Sequence, residues 1–114
     1  RTRCVEVSAL RCSVVKARGF DTVQADFIEW ASTTAERFNR VVMNPPYSEG
    51  RWRAHTEAAA SLVRAGGRLV AVLPASARNS FELAGFACVW SRVFDNEFAG
   101  TSVSVAILTA AMPD

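Results

Sequence analysis

The chain has 114 residues, which allows one domain and a modest core. Hydrophobic residues make up 50% and charged residues 21%, a balance that fits a folded globular chain and argues against disorder. The net charge is only +2, so composition neither demands nor excludes a nucleic-acid partner.

Cys4, Cys12 and Cys88 are odd in number and have no Cys-x-x-Cys spacing, as expected of reduced core thiols in a cytoplasmic protein. His55 is the single histidine, so a metal cage or a Ser-His-Asp triad has little to draw on, and no metal site is expected. No apolar run is long enough to cross a membrane and no signal peptide is visible, so no membrane partner is expected. The chain opens on Arg1-Thr2-Arg3 without an initiator methionine, and its natural start is therefore expected upstream.

Arg3 to Val7 alternates loosely and reads as a short buried strand with Glu6 at its C-terminal end. Ala9 to Arg18 has Leu10, Val14 and Ala17 at near-helical spacing and stops at Gly19, a C-cap residue. A second strand at Thr22 to Ala25 ends in Asp26-Phe27, and Ile28 to Ala35 reads as a short helical turn or loop with Trp30 inward. The third strand, Phe38 to Met43, runs into Asn44-Pro45-Pro46-Tyr47. Ser48-Glu49-Gly50 is loop, and the alanine-rich stretch Trp52 to Ala65 predicts a helix closed by Gly66-Gly67. Arg68 to Leu73 is a continuous apolar strand broken by Pro74, the pattern of a strand buried on both faces. Asn79 to Gly85 predicts a short helix. Val89 to Phe94 and Ser102 to Thr109 read as strands that pair as an antiparallel hairpin with a long connection.

This order is a doubly wound α/β plan, a mostly parallel sheet with an antiparallel C-terminal hairpin. In such sheets ligands collect at the carboxyl ends of the strands, where Glu6, Asp26 and Asn44 all fall. A carboxylate at one strand end can take two hydrogen bonds from a ribose diol, and one at the next can accept from the amino group of an adenine. Glu6 and Asp26 are candidates for those roles in a pocket for an adenosine-bearing cofactor, with Phe27 stacking on the same ring. Taken singly, each acid is equally a helix N-cap or a solvated loop residue, and Phe27 equally a core residue.

The Asn-Pro-Pro-Tyr stretch suits a rigid site. Proline locks φ and lacks an N–H but keeps its carbonyl, so Pro45 and Pro46 hold the backbone in one shape while presenting acceptors. Asn44 adds an acceptor and Tyr47 a flat stacking surface. The bland alternative is a buried strand ending in a Pro-Pro turn with Asn44 bonded to its own backbone. An aromatic exocyclic amine is a weak nucleophile because its lone pair is delocalised. Accepting from both of its N–H groups, through the Asn44 side-chain oxygen and the Pro45 carbonyl, favours a pyramidal nitrogen able to attack an electrophilic methyl in line. A base inside duplex DNA must be flipped out to reach such a corner, and Tyr47 and Phe98 could hold its two faces; for Phe98 a core position is an equal alternative. Arg37, Arg40, Arg51, Arg53 and Arg64 flank the stretch as either solvated faces or a phosphate-contacting rim.

Asn44-Pro45-Pro46-Tyr47 resembles the catalytic motif of S-adenosylmethionine-dependent amino methyltransferases, above all the adenine-N6 DNA methyltransferases. The resemblance covers nearly the whole chain and implies a class I methyltransferase-like catalytic domain over 1–114. Glu6 matches the family's ribose-binding acid, and Asp26-Phe27 its adenine-contacting pair, which implies S-adenosylmethionine as cofactor with Asn44 also facing it. Gly66-Gly67-Arg68-Leu69-Val70-Ala71-Val72-Leu73-Pro74 resembles the strand after the catalytic motif. Phe98, ahead of Val103-Ser104-Val105-Ala106, resembles the second base-stacking aromatic. The motif is shared with glutamine methyltransferases acting on release factors and with some ribosomal-RNA guanine-N2 enzymes, so it implies chemistry better than substrate. DNA is the expected partner.

The chain departs from that family in two places. The family's first strand and glycine-rich loop, which wraps the methionine part of the cofactor, should precede Glu6, where only five residues stand. That strand belongs between those at Arg3–Val7 and Phe38–Met43, so we expect a longer polypeptide, or another segment or chain, to fill the gap. No stretch of these residues matches the family's target-recognition domain, so no sequence preference is expected to be legible in them. A non-catalytic remnant that binds nucleic acid or a partner subunit is the competing expectation, predicting no affinity for S-adenosylmethionine and salt-sensitive DNA binding.

Overall fold

The structure, a computed structural model, describes residues 2–95 and 103–114. The chain divides into two compact units, Arg1–Ala35 and Glu36–Asp114.

The first unit is β1 (Arg3–Glu6), α1 (Ala9–Ala17), β2 (Asp21–Gln24) and α2 (Phe27–Thr33). β1 and β2 run parallel in the register Arg3 with Asp21 to Glu6 with Gln24, joined through α1. Ser8 starts α1, its Oγ accepting from the Arg11 N–H at 3.2 Å. The helix ends as expected: the Gly19 N–H donates to the Lys16 carbonyl and the Phe20 N–H to that of Val15, with Gly19 at φ +91. Cys12 is the buried residue of α1. The turn expected at Ile28 to Ala35 is a helix beginning one residue earlier, because Asp26 caps it.

The second unit is β3 (Phe38–Met43), a 3₁₀ turn (Ser48–Gly50), α3 (Arg51–Ala60), β4 (Val63–Pro74), a 3₁₀ turn (Ala75–Asn79), β5 (Ala87–Trp90) and β6 (Val105–Ala111). The strand order is β3-β4-β6-β5, with β3 parallel to β4 and β6 antiparallel to both β4 and β5. On one face Leu69, Ala71 and Leu73 of β4 lie beside Ala110, Leu108 and Ala106 of β6, all buried, and α3 packs against β4. Trp52, Thr56 and Ala59 of α3 are also buried, as are Leu62 and Phe81. Thr56 satisfies its hydroxyl on the Trp52 carbonyl at 2.7 Å. The opposite face leaves Val42 78% and Val89 68% exposed. Among the described residues β1 pairs only with β2, and β3 only with β4, so each keeps one edge without a strand.

Three sequence expectations need correction here. The helix predicted to Ala65 stops at Ala60, because Leu62 and Val63 are buried and Val63 enters β4 opposite Phe38. Gly66-Gly67 therefore lies inside a strand, where the register slips: Phe38 pairs with Val63 but Arg40 with Arg68. The helix predicted at Asn79 to Gly85 is absent: a 3₁₀ turn ends at Asn79, and turns lead from there to β5. The C-terminal strands pair antiparallel as predicted, at Ala87–Trp90 and Val105–Ala111, with Phe94 bridging Val105 alone; Ser102 lies outside the described residues.

Gly67 is required at the slip. A Cβ there would stand 2.8 Å from the Asn39 carbonyl oxygen and 2.9 Å from that of Arg64, both backbone atoms with little freedom to yield. Gly67→Ala should lower unfolding free energy by about 1–3 kcal/mol, read as an earlier midpoint in urea; an unchanged midpoint would show that β3 and β4 do not approach as closely as described.

Candidate functional site

Each of the three polar residues expected at strand ends is there. Glu6 is the last residue of β1, Asp26 follows the end of β2, and Asn44 follows the end of β3. β1 and β2 are paired, and the Ala25 N–H donates to the Glu6 carbonyl at 3.1 Å, so Glu6 and Asp26 stand at adjoining strand ends in the first unit.

Both carboxylates are already engaged locally. Glu6 Oε1 lies 2.8 Å from Arg11 Nε, and its Oε2 accepts from the Ser8 N–H at 3.3 Å. Sequence reading missed both partners, although a serine just ahead of a periodic apolar run is a helix-start signal. The Glu6 side chain keeps 25% of its surface exposed and Arg11 71%, so the ion pair is screened and exchangeable. Asp26 Oδ1 accepts from the Glu29 N–H at 3.1 Å, the N-cap role that its position alone allowed. Asp26 is exposed. Phe27 is half-buried against Trp30, with ring centroids 6.4 Å apart.

In the second unit the chain leaves β3 at Met43 and turns through Asn44-Pro45-Pro46-Tyr47. Pro45 is buried, Pro46 and Tyr47 are half-buried and Asn44 is exposed, so the prolines fix the corner while the amide faces outward. The Tyr47 hydroxyl donates to the Val72 carbonyl at 2.8 Å and lies 3.5 Å from Asn44 Oδ1. Sequence gave no sign of this tie, which spans 25 positions. The following turn holds Glu49 at φ +60 and Gly50 at φ +70; the left-handed Glu49 costs about 1–3 kcal/mol. Phe98 lies outside the described residues.

Two of the flanking arginines, Arg51 and Arg53, make contacts that brace the local fold. Arg51 donates from Nε to the Ser48 carbonyl at 3.2 Å and also bonds Ser48 Oγ, bracing the turn after Tyr47. Arg53 stacks 5.0 Å from the Trp52 ring centre and 5.1 Å from that of Phe81, while those two rings meet edge to face at 5.1 Å. Among the described residues no group of His, Cys, Asp and Glu could hold a metal ion, and no helix is long and apolar enough to cross a membrane.

No protein-family model and no curated protein sequence matches the chain. Solved structures do. An rRNA methylase from Streptococcus thermophilus aligns at TM-score 0.57 and 10% identity over 96% of this chain and 72% of that one. The N-methyltransferase NodS from Bradyrhizobium japonicum, in complex with S-adenosyl-L-homocysteine, aligns at 0.68 and 15% over 100% of this chain and 67% of that one. TrmN from Thermus thermophilus aligns at 0.66 and 20% over 95% of this chain but only 36% of that one. The fold is that of a class I methyltransferase, over part of its length. The α/β plan read from the sequence is thereby confirmed.

Burial withdraws the Tyr47 hydroxyl from water and pushes its pKa up from 10.0. The unfolded chain then loses this proton first, so the group leaves stability untouched below about pH 10 and erodes it as pH rises through the higher folded value. Tyr47 is the only tyrosine, which makes phenolate absorbance a single-site probe. The native protein should titrate at higher pH than the urea-unfolded chain; coincident curves would contradict a buried, bonded hydroxyl.

Proposed function

We propose that these residues belong to an S-adenosylmethionine-dependent methyltransferase that methylates an exocyclic amine, with the N6 amine of adenine in DNA as the substrate favoured by the motif. The observation that carries the reading is the Asn44–Tyr47 corner at the carboxyl end of β3 within a class I methyltransferase fold. The domain so defined is 1–114, a partial catalytic domain. Among the described residues β1 in the first unit and β3 in the second each have an edge without a strand, which supports completion by strand pairing with another segment or chain.

The residues fit the cofactor. Glu6 offers a partly exposed carboxylate whose present partner, Arg11, is itself mobile enough in solvent to yield to a ribose diol. Asp26 is exposed and spends one carboxylate oxygen on its helix cap, leaving the other to accept from an adenine amine, with Phe27 beside it. Held by these residues, S-adenosylmethionine would supply an electrophilic methyl for transfer from its sulfur to the amine nitrogen, with the thioether leaving and the surplus amine proton passing to water. Asn44 Oδ1 and the Pro45 carbonyl accept the two amine hydrogens and draw the nitrogen out of conjugation. Tyr47 offers its ring to stack on the flipped base.

A second reading, transfer to RNA such as the guanine N2 of ribosomal RNA, is favoured by one observation: the similar structure from Streptococcus thermophilus is that of an rRNA methylase. The test uses the intact polypeptide with radiolabelled S-adenosylmethionine and duplex DNA, ribosomal RNA or protein as acceptor. We expect label in DNA, recovered as N6-methyladenine, and Asn44→Ala to reduce transfer by about a hundredfold or more while cofactor affinity is retained. Label on guanine in RNA would select the second reading. Label in none, with no binding of the cofactor, would leave only a non-catalytic remnant.

A further inference from the structure

β3 stops pairing three residues before its neighbour ends. Its last pair is Met43 with Ala71, whereas β4 continues through Val72 and Leu73 to Pro74, paired on its other side with Ile107, Ala106 and Val105. The next residues beyond Asn44 are prolines, which have no N–H, so they cannot donate to the β4 carbonyls left over. The Tyr47 hydroxyl fills that role for Val72 at 2.8 Å, the ordinary length of a well-formed O–H···O bond.

A hydroxyl has one proton, and this bond takes it. Toward Asn44, 3.5 Å away, Tyr47 can present only a lone pair. Oxygen facing oxygen with no proton between them is not a bond. Rotated by half a turn, the amide places an N–H on the Tyr47 oxygen and directs Oδ1 outward; the two ends of an asparagine amide are assigned by such networks. The Asn44 donor is then on Tyr47 and its acceptor is free.

We infer that Tyr47 is a positioning residue as well as a stacking surface: its hydroxyl, anchored on the Val72 carbonyl, accepts from the Asn44 amide and so fixes the Asn44 oxygen toward the reacting amine. This rests on the methyltransferase reading for its consequence but not for its geometry. The ring and the amide are held as one unit on the end of β4, and loss of the hydroxyl frees the amide to rotate without removing either the ring or Asn44.

Two measurements decide it. In isotope-labelled protein, the Asn44 side-chain amide signals, identified by their loss in Asn44→Ala, should show proximity to the Tyr47 ring-edge protons and slow exchange with water. Tyr47→Phe should move them to solvent-like positions and exchange rates. Amide signals that are solvent-like in the unmodified protein, or unchanged in Tyr47→Phe, overturn the inference whether or not methyl transfer is detected. If Tyr47→Phe fails to fold, the signals of the unmodified protein still decide. In the transfer assay Tyr47→Phe should lower kcat by roughly ten- to a hundredfold, as for a misplaced catalytic group, with S-adenosylmethionine affinity unchanged. Equal losses in kcat and cofactor affinity would instead mark a merely structural residue. Should the unmodified protein transfer no methyl at all, the proposed function fails while the amide signals continue to test the positioning.

Discussion

A strand that outlasts its neighbour leaves backbone carbonyls without ladder partners, and the candidate site of the second unit depends on how that deficit is met. β4 extends to Pro74 while β3 stops pairing at Ala71. Unpaired carbonyls in a partly buried sheet end each cost on the order of 1–3 kcal/mol unless something donates to them. A further residue of β3 would serve one of them but would also carry the chain straight on. Pro45 and Pro46 forbid that, turning the chain out of the sheet and leaving a side chain as the donor. The rigid corner and the Tyr47 tie are thus two consequences of one constraint, and Asn44 is exposed because the chain departs there.

The same economy is visible in the first unit. Glu6 and Asp26 stand at strand ends that begin helices, and both serve helix starts: Asp26 caps α2 directly, while Glu6 accepts the Ser8 N–H just before α1 and pairs with Arg11 in its first turn. Acceptors placed there meet unsatisfied N–H groups and the positive end of the helix dipole. The bland and functional readings of these acids are therefore compatible, since a carboxylate has more acceptor sites than one cap consumes. A cap also fixes its rotamer, and a fixed acceptor is the better ligand group.

Local signals were legible in the sequence where one residue decides the conformation. Gly19 closes α1, Asn44-Pro45-Pro46 ends β3, and β3 occupies the residues expected of it. Reading failed where two distant segments decide together. Gly66-Gly67 is an ordinary helix stop by pattern, yet it lies in β4 because β3 approaches within 2.8 Å of where a side chain at Gly67 would be and the C-terminal segment supplies the Met112 and Pro113 carbonyls to Gly66 N–H at 3.1 Å. The alanines that argued for a longer α3 were outweighed by burial of Leu62 and Val63, a tertiary term that propensity does not contain. Glu6, Asp26 and Asn44 stand at strand ends as expected because the apolar runs that lead into them are local signals. Arg11 and Val72 were missed because one acts through a side-chain contact outside any motif and the other through its backbone, which leaves no trace in residue identity.

This asymmetry bears on how far the corner can specify a substrate. An amide oxygen and a proline carbonyl read only that a planar amine offers two hydrogens, a property common to adenine, to the guanine N2 group and to a carboxamide. Discrimination among them requires contact with the rest of the acceptor molecule. In the second unit Arg51 is bound to Ser48 and Arg53 lies over two aromatic rings, so both guanidinium groups beside the corner are held in place by the fold while remaining exposed. Arg64 and Arg68, exposed along β4, are not held in this way, but they stand toward its opposite end from Val72. The burden of selection on the proposed reading thus falls on residues that approach Asn44 and Tyr47 from beyond the sheet ends. On the proposed reading the corner supplies the chemistry of transfer and leaves the choice of acceptor to what surrounds it.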